Sequence, residues 1–278
     1  MKTININYIQ LSNALPIVLI AGPCQIESED HALYVAGKIK EIAHKFKIDF
    51  IYKSSFDKAN RTSISGKRGV GIELSCKIFK AIKQQIGCPI LTDIHETNQA
   101  AIIANYVDIL QIPALLCRQT DLIISAAKTG KCVNIKKGQF LSPTDMQYAI
   151  DKCIAAGNEK VMITERGTSF GYNNLVNDMR GIQIMKQTGY PVIFDATHSV
   201  QLPGGLMGSS GGQKQFIEVL ARSAVAAGVA AIFIETHEDP DNAPSDGASM
   251  LNLALLEPFL ERVKEIDMVS KKFSYLNT

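Results

Sequence analysis

Ile17-Val18-Leu19-Ile20-Ala21-Gly22-Pro23-Cys24 is the stretch from which the fold can be read. Four aliphatic residues in a row suit a strand buried on both faces rather than one that alternates between core and solvent. The run stops at Gly22-Pro23, a pair that a strand interior does not tolerate. A thiol, Cys24, follows at once, and a carboxylate, Glu27, stands three residues further on. A free cysteine in such a place is commonly a small buried hydrophobe. The other reading is a soft metal ligand, and this stretch by itself leaves both open.

Seven more runs of the same kind follow: 49–55 (DFIYKSS), 89–94 (PILTDI), 107–113 (VDILQIP), 132–137 (CVNIKK), 160–166 (KVMITER), 191–197 (PVIFDAT) and 231–236 (AIFIET). Helix-patterned segments fill the gaps, over 31–46, 72–86, 98–104, 121–128, 143–156, 175–188, 213–227 and 248–266. Ser142-Pro143 reads as a helix start, Thr120 as a cap, and Gly189 and Gly228 as stops. Eight alternating units in about 250 residues predict an α/β fold, a closed (β/α)8 TIM barrel. Residues 1–15 are expected to form a short N-terminal extension or hairpin, and 1–278 to make a single domain. No G-x-G-x-x-G follows the first run, which disfavours an open dinucleotide-binding sheet. The Gly-rich stretch 203–212 lies where a mobile lid loop would belong.

Composition agrees with a large core: 46% of the 278 residues are hydrophobic and 20% charged. A net charge of +2 gives no electrostatic case for a nucleic-acid partner. The six cysteines contain no C-x-x-C pair, and they are expected to stay reduced. MKTININYIQ is too polar for a signal peptide, and no apolar run approaches the ~20 residues of a membrane span. A cytoplasmic protein with no membrane partner is expected.

In a barrel of this type the C-terminal strand ends build the active site. Read in order they present Cys24, Lys53, Asp93, Gln111, Lys136, Arg166, His198 and Glu235. Lys53, Lys136 and Arg166 would share one mouth with Lys58 and Arg61. Two like charges ~4 Å apart repel by about 4 kcal/mol at an effective dielectric of about 20, so the group points to an anionic ligand. Five cations exceed what one phosphate needs. The alternative is a set of solvated loop charges. A Schiff-base lysine at Lys53 or Lys136 is also open. Cys24, His198, Glu235 and Asp246 could converge where the first, seventh and eighth strands adjoin, as a shell for zinc, iron or manganese. His237 competes for the same role, since alternation puts it on the face of Glu235.

The motifs IAGPCQIES, YKSSFDKANRTS, LTDIHE, ILQIPALLCRQTDL, VNIKKGQFLSP, TERGTSFGYNNLVNDMR, FDATHSVQLPGG and ETHEDPDNAPSDG closely resemble those of the 3-deoxy-D-manno-octulosonate 8-phosphate synthases, from about residue 17 to 266. DAHP synthases, which share the barrel, typically read K-P-R-T-S where this chain has Lys58-Ala59-Asn60-Arg61-Thr62-Ser63. The resemblance implies condensation of phosphoenolpyruvate with D-arabinose 5-phosphate for lipopolysaccharide synthesis. It implies that Lys136, Arg166 and the backbone near Ala114 bind the phosphoenolpyruvate phosphate, and that Lys53, Ser55 and Lys58 bind its carboxylate. Asn60, Arg61 and Thr62 would hold the pentose phosphate, with Asp93 and Gln201 at the sugar and Gln111 among the substrate-binding residues. Lys58, Asp93, His198 and Asp246 are the catalytic candidates. In the family the arginine at position 61 can reach across a subunit interface, which implies a homotetramer. Cys24 marks the branch that uses a divalent metal ion, one per subunit, with His198, Glu235 and Asp246 as the other ligands.

Overall fold

The structure, a computed structural model, describes residues 1–60, 63, 64, 66–206 and 209–273. All eight runs are strands: β1 (Val18–Gly22), β2 (Phe50–Lys53), β3 (Ile90–Asp93), β4 (Ile109–Ile112), β5 (Cys132–Lys136), β6 (Val161–Glu165), β7 (Val192–Asp195) and β8 (Ala231–His237). Each pairs in parallel with its neighbour, and β8 returns to β1 with Glu235 opposite Gly22. That closes a (β/α)8 barrel. The helices are α1 (Glu29–Lys45), α2 (Ile72–Gln85), α3 (Thr97–Ile103), α4 (Thr120–Lys128), α5 (Met146–Ala155), α6 (Arg180–Lys186), α7 (Ile217–Ala226) and α8 (Leu256–Ser270). Among the described residues no helix is long and apolar enough to cross a membrane, and all six cysteines are free and buried.

The period of two along each strand explains how one sequence supplies both a core and a site. Inward positions low in the barrel are apolar: Val18, Ile51, Leu91, Ile109, Cys132, Met162 and Ile193. Two residues further on, the same face turns polar with Lys53, Asp93, Gln111, Asn134, Thr164 and Asp195, all buried. Gly22 ends β1 because a Cβ there would lie 1.9 Å from the Lys53 carbonyl oxygen.

The N-terminal extension is a hairpin, Ile4–Ile6 against Ile9–Leu11. Its inward side chains Ile4, Ile6, Ile9 and Leu11 join the apolar layer and plug the lower mouth of the barrel. Each such burial contributes about 1.5–3 kcal/mol at most.

Helix boundaries depart from the pattern in four places. Leu175-Val176 is a strand that pairs with Thr168-Ser169, and α6 starts only at Arg180, where Asp178 accepts from the Arg180 N–H. Leu251-Asn252 extends the sheet beside Thr236-His237, and α8 starts only at Leu256. In both places apolar residues that fit a helical stripe are used for strand pairing instead. Pro143–Asp145 is a 3-10 turn ahead of α5, and the Ser142 hydroxyl pairs with Thr144 rather than capping. Thr120 is the first residue of α4, not its cap. The described residues of 203–212 belong to a hairpin, Gln201–Leu206 with Ser209–Gly212; 207 and 208 lie outside the described residues.

The end of α8 clamps the β8–β1 seam. Asp267 accepts the Ile17 N–H at 2.9 Å, and Lys271 Nζ donates to the carbonyls of Asn13 and Val229, each at 2.8 Å. Burial pushes the Lys271 ammonium down to about 8 from 10.5, against the opposing pull of Asp267. A depressed folded-state pKa means that the unfolded chain holds the proton more tightly between these values. Stability from this group is therefore fully present above pH 10.5 and is lost as pH falls through about 8. The stability advantage of the wild type over Lys271→Met, read from Tm, is expected to grow between about pH 7.5 and about pH 9.5, by about 2 kcal/mol. A pH-independent gap between the two melting curves counts against it.

Candidate active site

A cavity of about 710 Å³ opens at the C-terminal ends of the strands. Lys53, Lys58, Asn60, Asp93, Gln111, Ala114, Lys136, Arg166, His198, Gln201 and Asp246 all line it. Arg61 and Thr62 lie outside the described residues. Ser55 stands behind the wall, buried, and its hydroxyl donates to Asp93. Cys24 and Glu235 are buried to 1% exposure at the base.

The cations are held by carboxylates that local spacing does not pair. Lys53 Nζ, from β2, donates to Glu235 Oε1 at 2.5 Å and to the Cys24 carbonyl at 3.1 Å. Lys136 Nζ, from β5, donates to Asp195 Oδ2 at 2.5 Å and lies 4.1 Å from the centre of the Phe233 ring. Burial lowers the Lys136 pKa, while Asp195 pulls it back. Arg166 Nη2 donates to Gln201 Oε1 at 2.8 Å, but Nη1 is buried with no hydrogen-bond partner among the described residues. A buried guanidinium N–H left open in a cavity wall is a strong anion donor.

Asp93 sits at the end of a chain of hydrogen bonds across the barrel. Thr164 donates to Asn134 at 2.8 Å, Asn134 to Gln111 at 2.8 Å, and Gln111 to Asp93. Burial opposes the Asp93 charge, yet Lys53, Lys58 and Lys136 outweigh it and hold the carboxyl well below its usual range. Asp93 is thus an ionised acceptor with fixed orientation.

The remaining donors converge on one spot. Cys24 Sγ lies 3.0 Å from Asp246 Oδ2, and His198 Nε2 lies 3.6 Å from Glu235 Oε2 and 4.0 Å from Asp246 Oδ2. Asp246 adopts a left-handed backbone (φ +55°), a conformation that Asp tolerates better than most residues and that local structure must enforce. His198 Nδ1 lies 2.7 Å from Asp195 Oδ2, which turns Nε2 toward the cluster. Burial and the two carboxylates push the Cys24 thiol well above its ordinary value. Lys58 Nζ stands 3.9 Å from Glu235 and 4.0 Å from Asp246. One thiol, one oriented imidazole and two carboxylates fit a divalent metal of intermediate softness. Cys24, Glu235 and Asp246 form one compact group of possible ligands.

His237 does not enter this set. Its Nε2 lies 2.9 Å from Glu27 Oε1, on the outer side of the β8 end. Sequence reasoning passed over Asp195, Asn134 and Thr164, which orient His198, Gln111 and Asp93. Their signal was available: each is a polar residue on the inward alternation of a strand.

A model of the DAHP synthetase I family matches residues 3–272. The chain belongs to the DAHP synthetase I family. Within it, similarity is high to proteins named 2-dehydro-3-deoxyphosphooctonate aldolase. The protein of Bartonella henselae is 59% identical, with 97% of this chain and 96% of the relative covered. That of Chelativorans sp. is 58% identical over 94% of both chains, and that of Brucella anthropi 56% over 97% and 98%. The barrel mouth with its cation-lined cavity is this chain's candidate active site.

Proposed function

We infer that this chain is an enzyme that condenses phosphoenolpyruvate with D-arabinose 5-phosphate and water, giving 3-deoxy-D-manno-octulosonate 8-phosphate and inorganic phosphate. The observation that carries this reading is the 56–59% identity, over nearly full length, to aldolases of the octulosonate phosphate. The cavity supports it, because two phosphates and a carboxylate match its cations.

In this reading Lys136 and Arg166 neutralise the phosphoenolpyruvate phosphate beside the Ala114 backbone. Lys53 and Lys58 take the carboxylate, while the expected third group, Ser55, is turned away to Asp93, and Asn60, Arg61 and Thr62 take the sugar phosphate. Asp93 and Gln201 hold sugar hydroxyls. The enol carbon attacks the C1 aldehyde of the open-chain sugar, and water adds at C2 as positive character develops there. The hemiketal phosphate then loses phosphate by C–O cleavage. The aldehyde oxygen gains a proton and the water loses one, and His198 or Asp246 exchanges them wherever it is not itself bound to the ion. Holding the two anions face to face supplies roughly 7–11 kcal/mol of the barrier reduction. A divalent iron, zinc or manganese ion held by Cys24, His198, Glu235 and Asp246 would supply Lewis acidity at the sugar aldehyde. The reading extends to one barrel domain, a homotetramer and a role in lipopolysaccharide synthesis in the cytoplasm.

Purified protein given both substrates is expected to release phosphate, with strong preference for the five-carbon acceptor. A preference for erythrose 4-phosphate would reassign it as a DAHP synthase. Borohydride with substrate is expected to trap no lysine adduct; a trapped adduct would point to a Schiff-base aldolase.

A further inference from the structure

A second cluster of ligand atoms lies outside the cavity, where β1 and β8 emerge side by side. Glu27 leaves the β1 loop, His31 stands in the first turn of α1, and His237 ends β8. One ligand atom from each of Glu27, His31 and His237 lies within 4.8 Å of the others, and Glu27 Oε1 lies 2.9 Å from His237 Nε2 and 3.9 Å from His31 Nδ1. Ser28 caps α1 by accepting the His31 N–H at 3.1 Å, which fixes where the His31 side chain leaves the helix. Glu27 precedes the cap, and its carboxylate lies 3.9 Å from His31 Nδ1.

The protonation pattern distinguishes the cluster from an ordinary hydrogen-bonded group. His31 Nε2 lies 3.1 Å from Glu238 Oε2, so the ring proton belongs on Nε2. That leaves His31 Nδ1 with a lone pair. Nδ1 is buried, has no hydrogen-bond partner among the described residues, and stands 3.9 Å from Glu27 Oε1. A carboxylate that holds one imidazole nitrogen and presents the other is the usual arrangement behind a metal-binding histidine. The His237 side chain is 8% exposed, and its ring lies 4.9 Å from that of His31. Two carboxylates and two imidazoles favour a dication.

We propose that Glu27, His31 and His237 form a second divalent-cation site, suited to zinc and similar ions, with Glu238 as the outer carboxylate. His237 Nε2 now shares its proton with Glu27, while Nδ1 accepts the Asp239 N–H at 2.9 Å. Metal binding at Nε2 moves that proton to Nδ1, which stands 3.6 Å from the Glu238 carboxylate. The Asp239 N–H passes to water, since Asp239 is exposed. The ion would tie the β1 loop to the end of β8 and so brace the strand ends that carry Cys24 and Glu235.

Cobalt(II) is the probe, because a thiolate ligand adds a sulfur-to-metal charge-transfer band that nitrogen and oxygen ligands do not. Wild-type protein is expected to bind about two Co²⁺ per chain, one of them without that band. His31→Leu is expected to weaken this band-free ion by about 100-fold or more and to spare the other, while Glu238→Gln weakens it by about tenfold. The Cys24→Ala protein should keep the band-free ion, and Cys24→Ala with His31→Leu should lose it. Circular dichroism checks that each variant is folded. Unchanged Co²⁺ binding in His31→Leu, or no band-free ion in wild type, overturns the proposal. The readout is binding, so the proposed condensation stands or falls separately.

Discussion

Arg166→Ala is expected to lower kcat/KM for phosphoenolpyruvate by about 30- to 1,000-fold, the equivalent of roughly 2–4 kcal/mol. The physical ground is the open Nη1 donor. Arg166 is 5% exposed, and among the described residues Nη2 is committed to Gln201 while Nη1 has no hydrogen-bond partner. Burial lowers its pKa, but Asp195, Asp246, Glu165 and Glu235 pull the other way, and a guanidinium stays charged throughout. A buried charged donor without a partner costs the empty enzyme stability, and an anion that fills the place recovers it. Loss of the side chain should therefore act mainly through KM, because a phosphate is present in both ground and transition states. Arg166→Lys keeps the charge without the planar fork, and an intermediate loss is expected. Thermal stability without substrate should be unchanged or higher in Arg166→Ala, as is common where a site holds unpaired polar groups. Near-wild-type kinetics in this variant would remove the arginine from the phosphate site. An equal fall in Tm would mark its role as structural.

Much of this site was legible because strands of a parallel barrel are buried on both faces. Their continuous aliphatic character marks all eight, and the polar residues at their ends mark the mouth. Lys53, Asp93, Lys136, Arg166 and His198 line the cavity for that reason. What could not be read was pairing across the barrel. Lys53 meets Glu235 from a strand 182 residues away, and Lys136 meets Asp195 across 59. No local spacing encodes such contacts; they arise from closure of β8 onto β1 and from the barrel's width. His237 shows the same limit. Alternation placed it on the face of Glu235, but α1 brings Glu27 and His31 to that side, and the ring turns to them. Leu175-Val176 and Leu251-Asn252 misled for another reason. A short apolar pair fits a helical stripe and a strand equally well, and only the partner strand decides.

The largest effect is expected at Cys24. Cys24→Ala should lose about one equivalent of the thiolate-bound metal and lower the condensation rate by about 100-fold or more, since a Lewis acid contributes several kcal/mol. Three donors, His198, Glu235 and Asp246, would remain, but they are poorly placed to keep an ion alone. Glu235 is engaged by Lys53 at 2.5 Å, and Lys58 lies within 4.0 Å of both carboxylates. Three buried cations beside two carboxylates repel a dication, as Lys136 adds to the same field at Glu235. The thiolate carries the softness that holds iron or zinc against magnesium. Chelation of the wild type should abolish activity, and Mn²⁺, Fe²⁺ or Zn²⁺ should restore part of it. The same ions should not restore Cys24→Ala at equal concentration. The discriminating measurement is elemental analysis beside turnover. Full activity in exhaustively chelated, metal-free protein would sink the metal assignment. It would leave Cys24 as a small buried thiol in contact with Asp246, and the cation pairs would then have to account for the rate alone.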